Sequence, residues 1–78
     1  MLTIQTNFTG TLQDVQEYVH ELNWLIKDER FAYDVYREQI EFWGNELSQD
    51  TILDFQITGE VSELEFQMFN FHQDFITI

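Results

Sequence analysis

The sequence has no cysteine, no proline and only three basic residues among 78 positions. Without cysteine there is no disulfide framework and no thiolate metal site, a composition typical of proteins that work inside cells. The absence of proline fits uninterrupted helices and strands. No stretch approaches the roughly 20 apolar residues of a membrane span, and the first ten residues lack the basic and apolar regions of a signal peptide. We therefore expect a cytoplasmic protein that does not bind membranes.

Acidic residues dominate the charge of the chain. Fifteen Asp and Glu stand against three Lys and Arg, a formal net charge of −12. Contacts to phosphate require Lys and Arg, so direct binding to nucleic acid is disfavoured and a basic protein partner is favoured. Eight Phe, three Tyr and two Trp are also present, and disordered acidic tails lack such residues. We predict a single folded domain over residues 1–78.

The first third of the chain predicts a strand followed by an amphipathic helix. In residues 2–8 apolar and polar side chains alternate, which is typical of a strand with one buried face. Thr11 and Asp14 then form the pattern of a capping box at a helix start. The apolar positions that follow at steps of three and four are Leu12, Val15, Val19, Leu22 and Ile26.

The helical spacing continues beyond residue 26 and allows two interpretations. One is a single helix of about 32 residues, about 48 Å long at 1.5 Å per residue. The other is a helix pair broken near the "KDER" segment, residues 27–30, with a stop at Gly44 and Asn45. We favour the break because the long helix would exceed a domain of this size. A homodimer would accommodate the long helix, and this alternative is kept.

The last part of the chain predicts strands. Residues 53–58 alternate, and Leu64, Phe66 and Met68 alternate with Glu63, Glu65 and Gln67. Gly59-Glu60 suits a type II′ hairpin turn, which would place Asp54 opposite Glu65 and Gln56 opposite Glu63. A turn near residues 71–73 would pair Met68 with Ile76 and Phe66 with Ile78. The predicted fold is α+β, an antiparallel sheet of about four strands with one long or two shorter helices on one face, in the order β-α(α)-β-β-β.

The outward face of the predicted hairpin is the candidate partner-binding surface. Asp54 and Glu65 would lie directly opposite each other, and like charges so placed destabilise a strand pair by some tenths of a kcal/mol. Phe69 and Phe75 would face outward beside them as interface anchors. The alternatives are acids that serve solubility, and a Phe pair that a bulge turns inward or that forms a dimer contact. The predicted site residues are Asp54, Gln56, Glu63, Glu65, Gln67, Phe69, Phe75, Glu17 and Glu21.

The first helix and the basic residues add to this surface. Trp24 would lie on the outer half of the helix, in line with Glu17, Glu21 and Asp28. The basic residues, Lys27, Arg30 and Arg37, would pair locally with Asp28, Glu29, Asp34 or Glu41. Such pairing would leave the other surfaces almost purely acidic.

No motif for catalysis or cofactor binding is present. His20 and His72 are the only histidines, and neither belongs to a zinc or EF-hand pattern. There is no Gly-rich phosphate loop, and the acids lie on polar faces instead of in apolar pockets that would raise a pKa. We predict no metal site, no cofactor and no enzymatic activity.

In size, acidity and α+β build, the whole chain resembles the small acidic DNA-mimic inhibitors that phages use against restriction or CRISPR nucleases. The resemblance includes no motif, so no individual functional residues carry over. It implies a non-enzymatic inhibitor of a basic, nucleic-acid-binding protein, acting in the host cytoplasm if phage-encoded. Alternate residues of a strand lie about 6.6–6.8 Å apart, and carboxylates one helical turn apart, such as Glu17 and Glu21, have Cβ atoms about 5–6 Å apart. Both distances resemble the spacing of successive phosphates. The alternatives are an immunity protein or antitoxin that neutralises a basic toxin through aromatic anchors, and a structural homo-oligomeric module.

Overall fold

The computed structural model describes residues 1–35 and 50–78. Its elements in chain order are β1 (Leu2–Gly10), α1 (Leu12–Ile26), β2 (Phe31–Val35), β3 (Leu53–Val61), α2 (Glu63–Met68), a 3₁₀ turn (Phe71–Gln73) and β4 (Ile76–Thr77). The strands form one antiparallel sheet in the spatial order β2-β3-β1-β4. The predicted α+β class and four-stranded antiparallel sheet are confirmed.

The centre of the sheet is the long pair of β1 and β3. Their register runs from Leu2 opposite Val61 to Gly10 opposite Leu53. Because side chains alternate along a strand, this register places Ile4 and Ile57 on the same face, where both are fully buried. The predicted first strand is confirmed and extends to residue 10.

Helix α1 covers the apolar face of this sheet. Its capping box is present: the Asp14 amide donates to Thr11 Oγ1 and the Thr11 amide donates to Asp14 Oδ2, both at 3.1 Å. Four of the five predicted apolar positions, Val15, Val19, Leu22 and Ile26, are buried in the core. Leu12, in the first turn, is exposed.

The predicted break near residues 27–30 is confirmed, and α1 ends at Ile26. Lys27 adopts a left-handed conformation, with φ of 56°. The Lys27 amide donates to Trp24 O at 3.2 Å, and the Asp28 amide donates to Asn23 O at 3.1 Å. These two bonds form a Schellman motif, which satisfies carbonyls that the helix end leaves open.

The prediction that helix continues through residues 31–35 is wrong, both for a single long helix and for a second helix. These residues form β2, which pairs with β3 from Phe31 opposite Gly59 to Val35 opposite Phe55. The Asn23 side chain holds its start: Oδ1 accepts from the amides of Arg30 and Phe31, and Nδ2 donates to Phe31 O. The remainder of the predicted second helix, with its stop at residues 44–45, lies outside the described residues.

The predicted hairpin at Gly59-Glu60 is also wrong. Strand β3 passes through both residues to Val61, and no turn occurs there. Gly59 serves a packing need instead: a Cβ at this position would lie 2.4 Å from Cδ1 of the Phe31 ring. A glycine inside a strand often marks such a close approach.

The predicted strand over residues 61–68 is a helix from residue 63 onward. Ser62 and Glu65 form a second capping box: the Glu65 amide donates to Ser62 Oγ at 3.1 Å and the Ser62 amide donates to Glu65 Oε1 at 2.8 Å. The predicted pairings of residues 66–68 with the last strand are therefore wrong as well. Strand β4 pairs with β1 instead, with Ile76 opposite Gln5 and Thr77 opposite Ile4.

Aromatic rings close the core beside α1. The Phe31 ring centroid lies 5.5 Å from that of Phe71 and 5.7 Å from that of Phe75, and all three side chains are buried. Tilted and edge-to-face contacts of this kind contribute beyond the area they bury. The C-terminal segment is thereby anchored to β2.

Candidate protein-binding surface

The outer face of α1 carries acids and an exposed tryptophan. We define it by five exposed residues: Gln13, Glu17, His20, Glu21 and Trp24. Their exposure follows from the helical period, because the apolar stripe on the other side of α1 is anchored in the core. Glu17 and Glu21 lie one turn apart, and the Gln13 side chain donates to Glu17 Oε1 at 3.2 Å. Their predicted placement on a solvent-facing helix surface agrees with the structure.

The Lys and Arg side chains of the described residues form no ion pair with the acids of this face. Arg30 is held elsewhere: its Nη1 and Nη2 lie 2.8 and 2.5 Å from the two Glu65 carboxylate oxygens. Its Nε also lies 3.2 Å from Asp28 Oδ2, which confirms the predicted local pairing with Asp28. Lys27 is exposed just beyond the C-terminal end of α1. Glu17 and Glu21 therefore have no ion pair to either of these two cations.

The bidentate pair with Arg30 strongly changes the acidity of Glu65. The hydrogen bonds from Arg30 make the largest contribution, and those from Ser62 add to it. Together they lower the pKa of Glu65 to about 2. Both side chains are only about 20% exposed. Glu65 thus belongs to a structural contact between α2 and the start of β2, and this role opposes its predicted role in partner binding.

Tyr18 of α1 packs on β1 and is affected by the charge of the C-terminal segment. Its ring packs against Phe8 with the centroids 5.3 Å apart. Burial raises the pKa of the Tyr18 hydroxyl, and the negative charges of Asp74 and Glu21 raise it further. The negative charges of a helix residue and of a residue in the C-terminal segment therefore both act on the Tyr18 hydroxyl. Asp74 thus extends the negative surface beyond the helix.

A shallow groove opens beside Trp24. Its lining residues are Tyr18, Glu21, Leu22, Trp24 and Leu25, and its volume is about 440 Å³. Trp24 is 74% exposed, which is unusual for so large an apolar side chain. The sequence pattern correctly placed Trp24 in line with the acids of α1, but it missed the groove. The groove could have been predicted from Tyr18 and Leu25, which lie seven residues apart and extend the apolar stripe of the helix along one side.

The polar and acidic residues predicted to share one hairpin face lie on two separate elements. Asp54 and Gln56 do lie on the sheet face opposite α1, but their β1 neighbours are Thr9 and Asn7. Asp54 Oδ1 accepts a 2.7 Å hydrogen bond from Thr9 Oγ1. The predicted partners of these two residues, Glu63 and Glu65, lie on α2 together with Gln67. The predicted like-charge contact between Asp54 and Glu65 is therefore wrong, since Glu65 faces Arg30.

The predicted outward pair of Phe69 and Phe75 is likewise wrong. Phe75 is buried against Phe31 and Phe71. Phe69 is partly buried, with its ring 5.8 Å from that of Phe71. These rings stabilise the core, so within residues 1–35 and 50–78 the exposed aromatic candidate for a partner contact is Trp24.

The two histidines show no metal-binding arrangement. Both are exposed, and the His72 ring lies 6.0 Å from that of Phe66. Within residues 1–35 and 50–78, no three His, Asp or Glu side chains come together in a way that could hold a metal ion. The same part of the chain contains no helix long and apolar enough to cross a membrane. Comparisons of this chain with protein-family models, with curated proteins and with solved structures find no match.

Proposed function

We propose that this protein is a non-enzymatic inhibitor that binds a basic, nucleic-acid-binding protein through the outer face of α1. The observation that carries the proposal is the exposed pair Glu17 and Glu21, which neither Arg30 nor Lys27 neutralises. One helical turn separates the two carboxylates, a spacing similar to that of successive phosphates. A surface that presents negative charges in this way can occupy a groove built for a nucleic-acid strand and exploit the same electrostatic steering.

Because the predicted hairpin face does not form, the proposed surface lies on α1. Asp54 and Gln56 now lie on the opposite side of the sheet from α1, and Glu65 is occupied by Arg30. The negative charge of Asp74, which acts on Tyr18 together with that of Glu21, extends the negative charge of this face. The proposed partner is a nuclease or another DNA-binding protein with a cationic cleft, as for anti-restriction or anti-CRISPR inhibitors.

The test is inhibition of purified nucleases. Restriction endonucleases and CRISPR effector nucleases are incubated with the chain, and cleavage of a duplex substrate is measured. We expect inhibition that decreases when the nuclease is preloaded with DNA. It should also decrease between 0.1 and 1 M salt, over which the Debye length falls from about 10 to 3 Å.

Matched charge variants distinguish a specific surface from bulk acidity. Glu17→Gln with Glu21→Gln should weaken inhibition about tenfold, equivalent to about 1.4 kcal/mol. Glu60→Gln with Glu63→Gln removes the same charge from exposed positions outside α1 and should have little effect. Equal losses in the two variants, or inhibition that DNA does not relieve, would refute the proposal.

Trp24 favours a second candidate, a neutraliser of a basic toxin that relies on an aromatic anchor. Exposed Trp residues are prominent among the few side chains that dominate interface energies. In that case Trp24→Ala should reduce partner binding more than the Glu17/Glu21 double variant does. The opposite order supports mimicry.

A further inference from the structure

The groove beside Trp24 is lined by apolar side chains and by one carboxylate. Leu22 is buried at 9% exposure, whereas Trp24 and Leu25 are exposed. Glu21 supplies the carboxylate. The groove thus combines a flat aromatic surface with a negative charge.

The surrounding charge restricts what the groove can accept. Glu21 and Asp74 both act on Tyr18, which lines the groove. An anionic group would be repelled there, and an uncharged apolar group would remove the Glu21 carboxylate from water without a partner, which is costly. A cation with an apolar face satisfies both parts of the groove.

Among protein side chains, arginine has this combination. Its guanidinium group is planar, stacks on aromatic faces, and donates parallel hydrogen bonds to a carboxylate. Tryptophan is the best aromatic partner for such stacking. The lysine ammonium is a compact, strongly hydrated charge, and it gains less from a flat indole surface.

We propose that this groove receives an arginine side chain of the basic partner, stacked on Trp24 and paired with Glu21. The inference rests on the proposed function, because it assumes a basic protein partner. It adds a chemical preference that negative charge alone does not produce: the surface selects arginine over lysine.

The experiment uses the full ¹⁵N-labelled chain and two capped hexapeptides of equal charge, hexa-arginine and hexa-lysine. The indole N–H signal of Trp24, assigned by its loss in Trp24→Phe, reports on the groove. We expect hexa-arginine to shift this signal and to bind about two- to fivefold more tightly than hexa-lysine, the range for a cation–π contact at an exposed site.

The variants isolate the aromatic and the charged contribution. With binding followed by the backbone amide signals of α1, Trp24→Ala should lower the affinity for hexa-arginine to that for hexa-lysine. Leu64→Ala, which truncates a 72% exposed side chain on α2, should keep the preference. Glu21→Gln should weaken hexa-arginine binding more than Glu60→Gln does. Circular dichroism verifies that each variant is folded.

Three results would overturn the inference: equal affinities for the two peptides, an arginine preference that survives Trp24→Ala, or no binding by either peptide. Failure here is separable from failure of the proposed function. If the preference is absent while the Glu17/Glu21 variant still loses nuclease inhibition, only the groove assignment falls. If the preference holds but DNA does not compete with the chain, the inhibitor proposal falls instead.

Discussion

Gly59 shows how one residue type can indicate two different structures. In the sequence it stands before Glu60 in a pattern typical of a hairpin turn, but in the structure it lies within β3 under the Phe31 ring. Its lack of a side chain matters here because of space: its φ lies outside the left-handed region. Contact between Phe31 and Gly59 requires β2 and β3 to be neighbours, which local sequence does not reveal.

We expect Gly59→Ala to destabilise the protein by about 1–3 kcal/mol, the usual cost of overpacking a filled site. The Phe31 ring would have to move, and Phe71 and Phe75 pack against it. Urea unfolding followed by circular dichroism measures the loss. Thr58→Ala, at the neighbouring strand position on the other face, should cost less.

A double-mutant cycle tests the cause. In a Phe31→Ala background the added methyl group has room, so the cost of Gly59→Ala should shrink markedly. The same cost in both backgrounds would show that the ring contact is not responsible.

At the scale of the element, α2 shows two local signals in competition. Residues 63–68 alternate like a strand, but Ser62 and Glu65 also form an S-x-x-E capping box, and the structure follows the capping box. A helix of six residues is too short to be stable alone. Tertiary contacts hold it, above all the pair of Glu65 with Arg30.

This pair predicts an acid-sensitive contribution to stability. The ordinary pKa of Glu65 is 4.5 and the folded value is about 2. Above pH 4.5 the stabilisation is fully present, because the carboxylate is ionised in both states. As the pH falls from 4.5 to 2, the unfolded chain takes up the proton first, so the free energy of unfolding decreases and the contribution is lost.

Urea unfolding between pH 7 and pH 2 measures this contribution. Glu65→Gln should lower stability at pH 7, and the difference from the wild type should shrink as the pH falls below 4.5. Glu63→Gln makes the same charge change at an exposed position of α2 and should have a smaller effect. A constant difference between wild type and Glu65→Gln across the range would contradict the assignment.

At the scale of the whole molecule, the excess of negative charge on which the proposed basic partner rests also opposes folding. The net charge of −12 makes the compact chain repel itself. We expect the unfolding midpoint to rise as sodium chloride increases from about 0.01 to 0.5 M, because the Debye length falls from about 30 Å to a few Å. Binding to a basic partner should weaken over the same range.

Thermal unfolding at several salt concentrations measures the effect. The Glu17/Glu21 double variant carries two fewer negative charges and should respond less to salt than the wild type. A midpoint that stays constant or falls with salt would show that self-repulsion contributes little to stability.

Features that depend only on residues close together in the chain could be predicted from the sequence. The alternation in β1, the capping box at Thr11 and the buried stripe of α1 are local patterns, and all are present in the structure. The same stripe exposes Glu17, Glu21 and Trp24, so the helical part of the candidate surface was predictable. Net charge, on which the proposed preference for a basic partner rests, is also a property of composition alone.

Features that depend on contacts between residues far apart in the chain could not be predicted from the sequence. Residues 31–35 fit a helical spacing as well as a strand, and pairing with β3 selected the strand. Arg30 bound Glu65, 35 positions away, which removed that carboxylate from the candidate surface. Phe75 comes directly before β4, which pairs with β1, and the Phe75 ring packs against Phe31 in the core. Local periodicity reports which residues share a face, whereas the contacts of that face depend on which elements become neighbours.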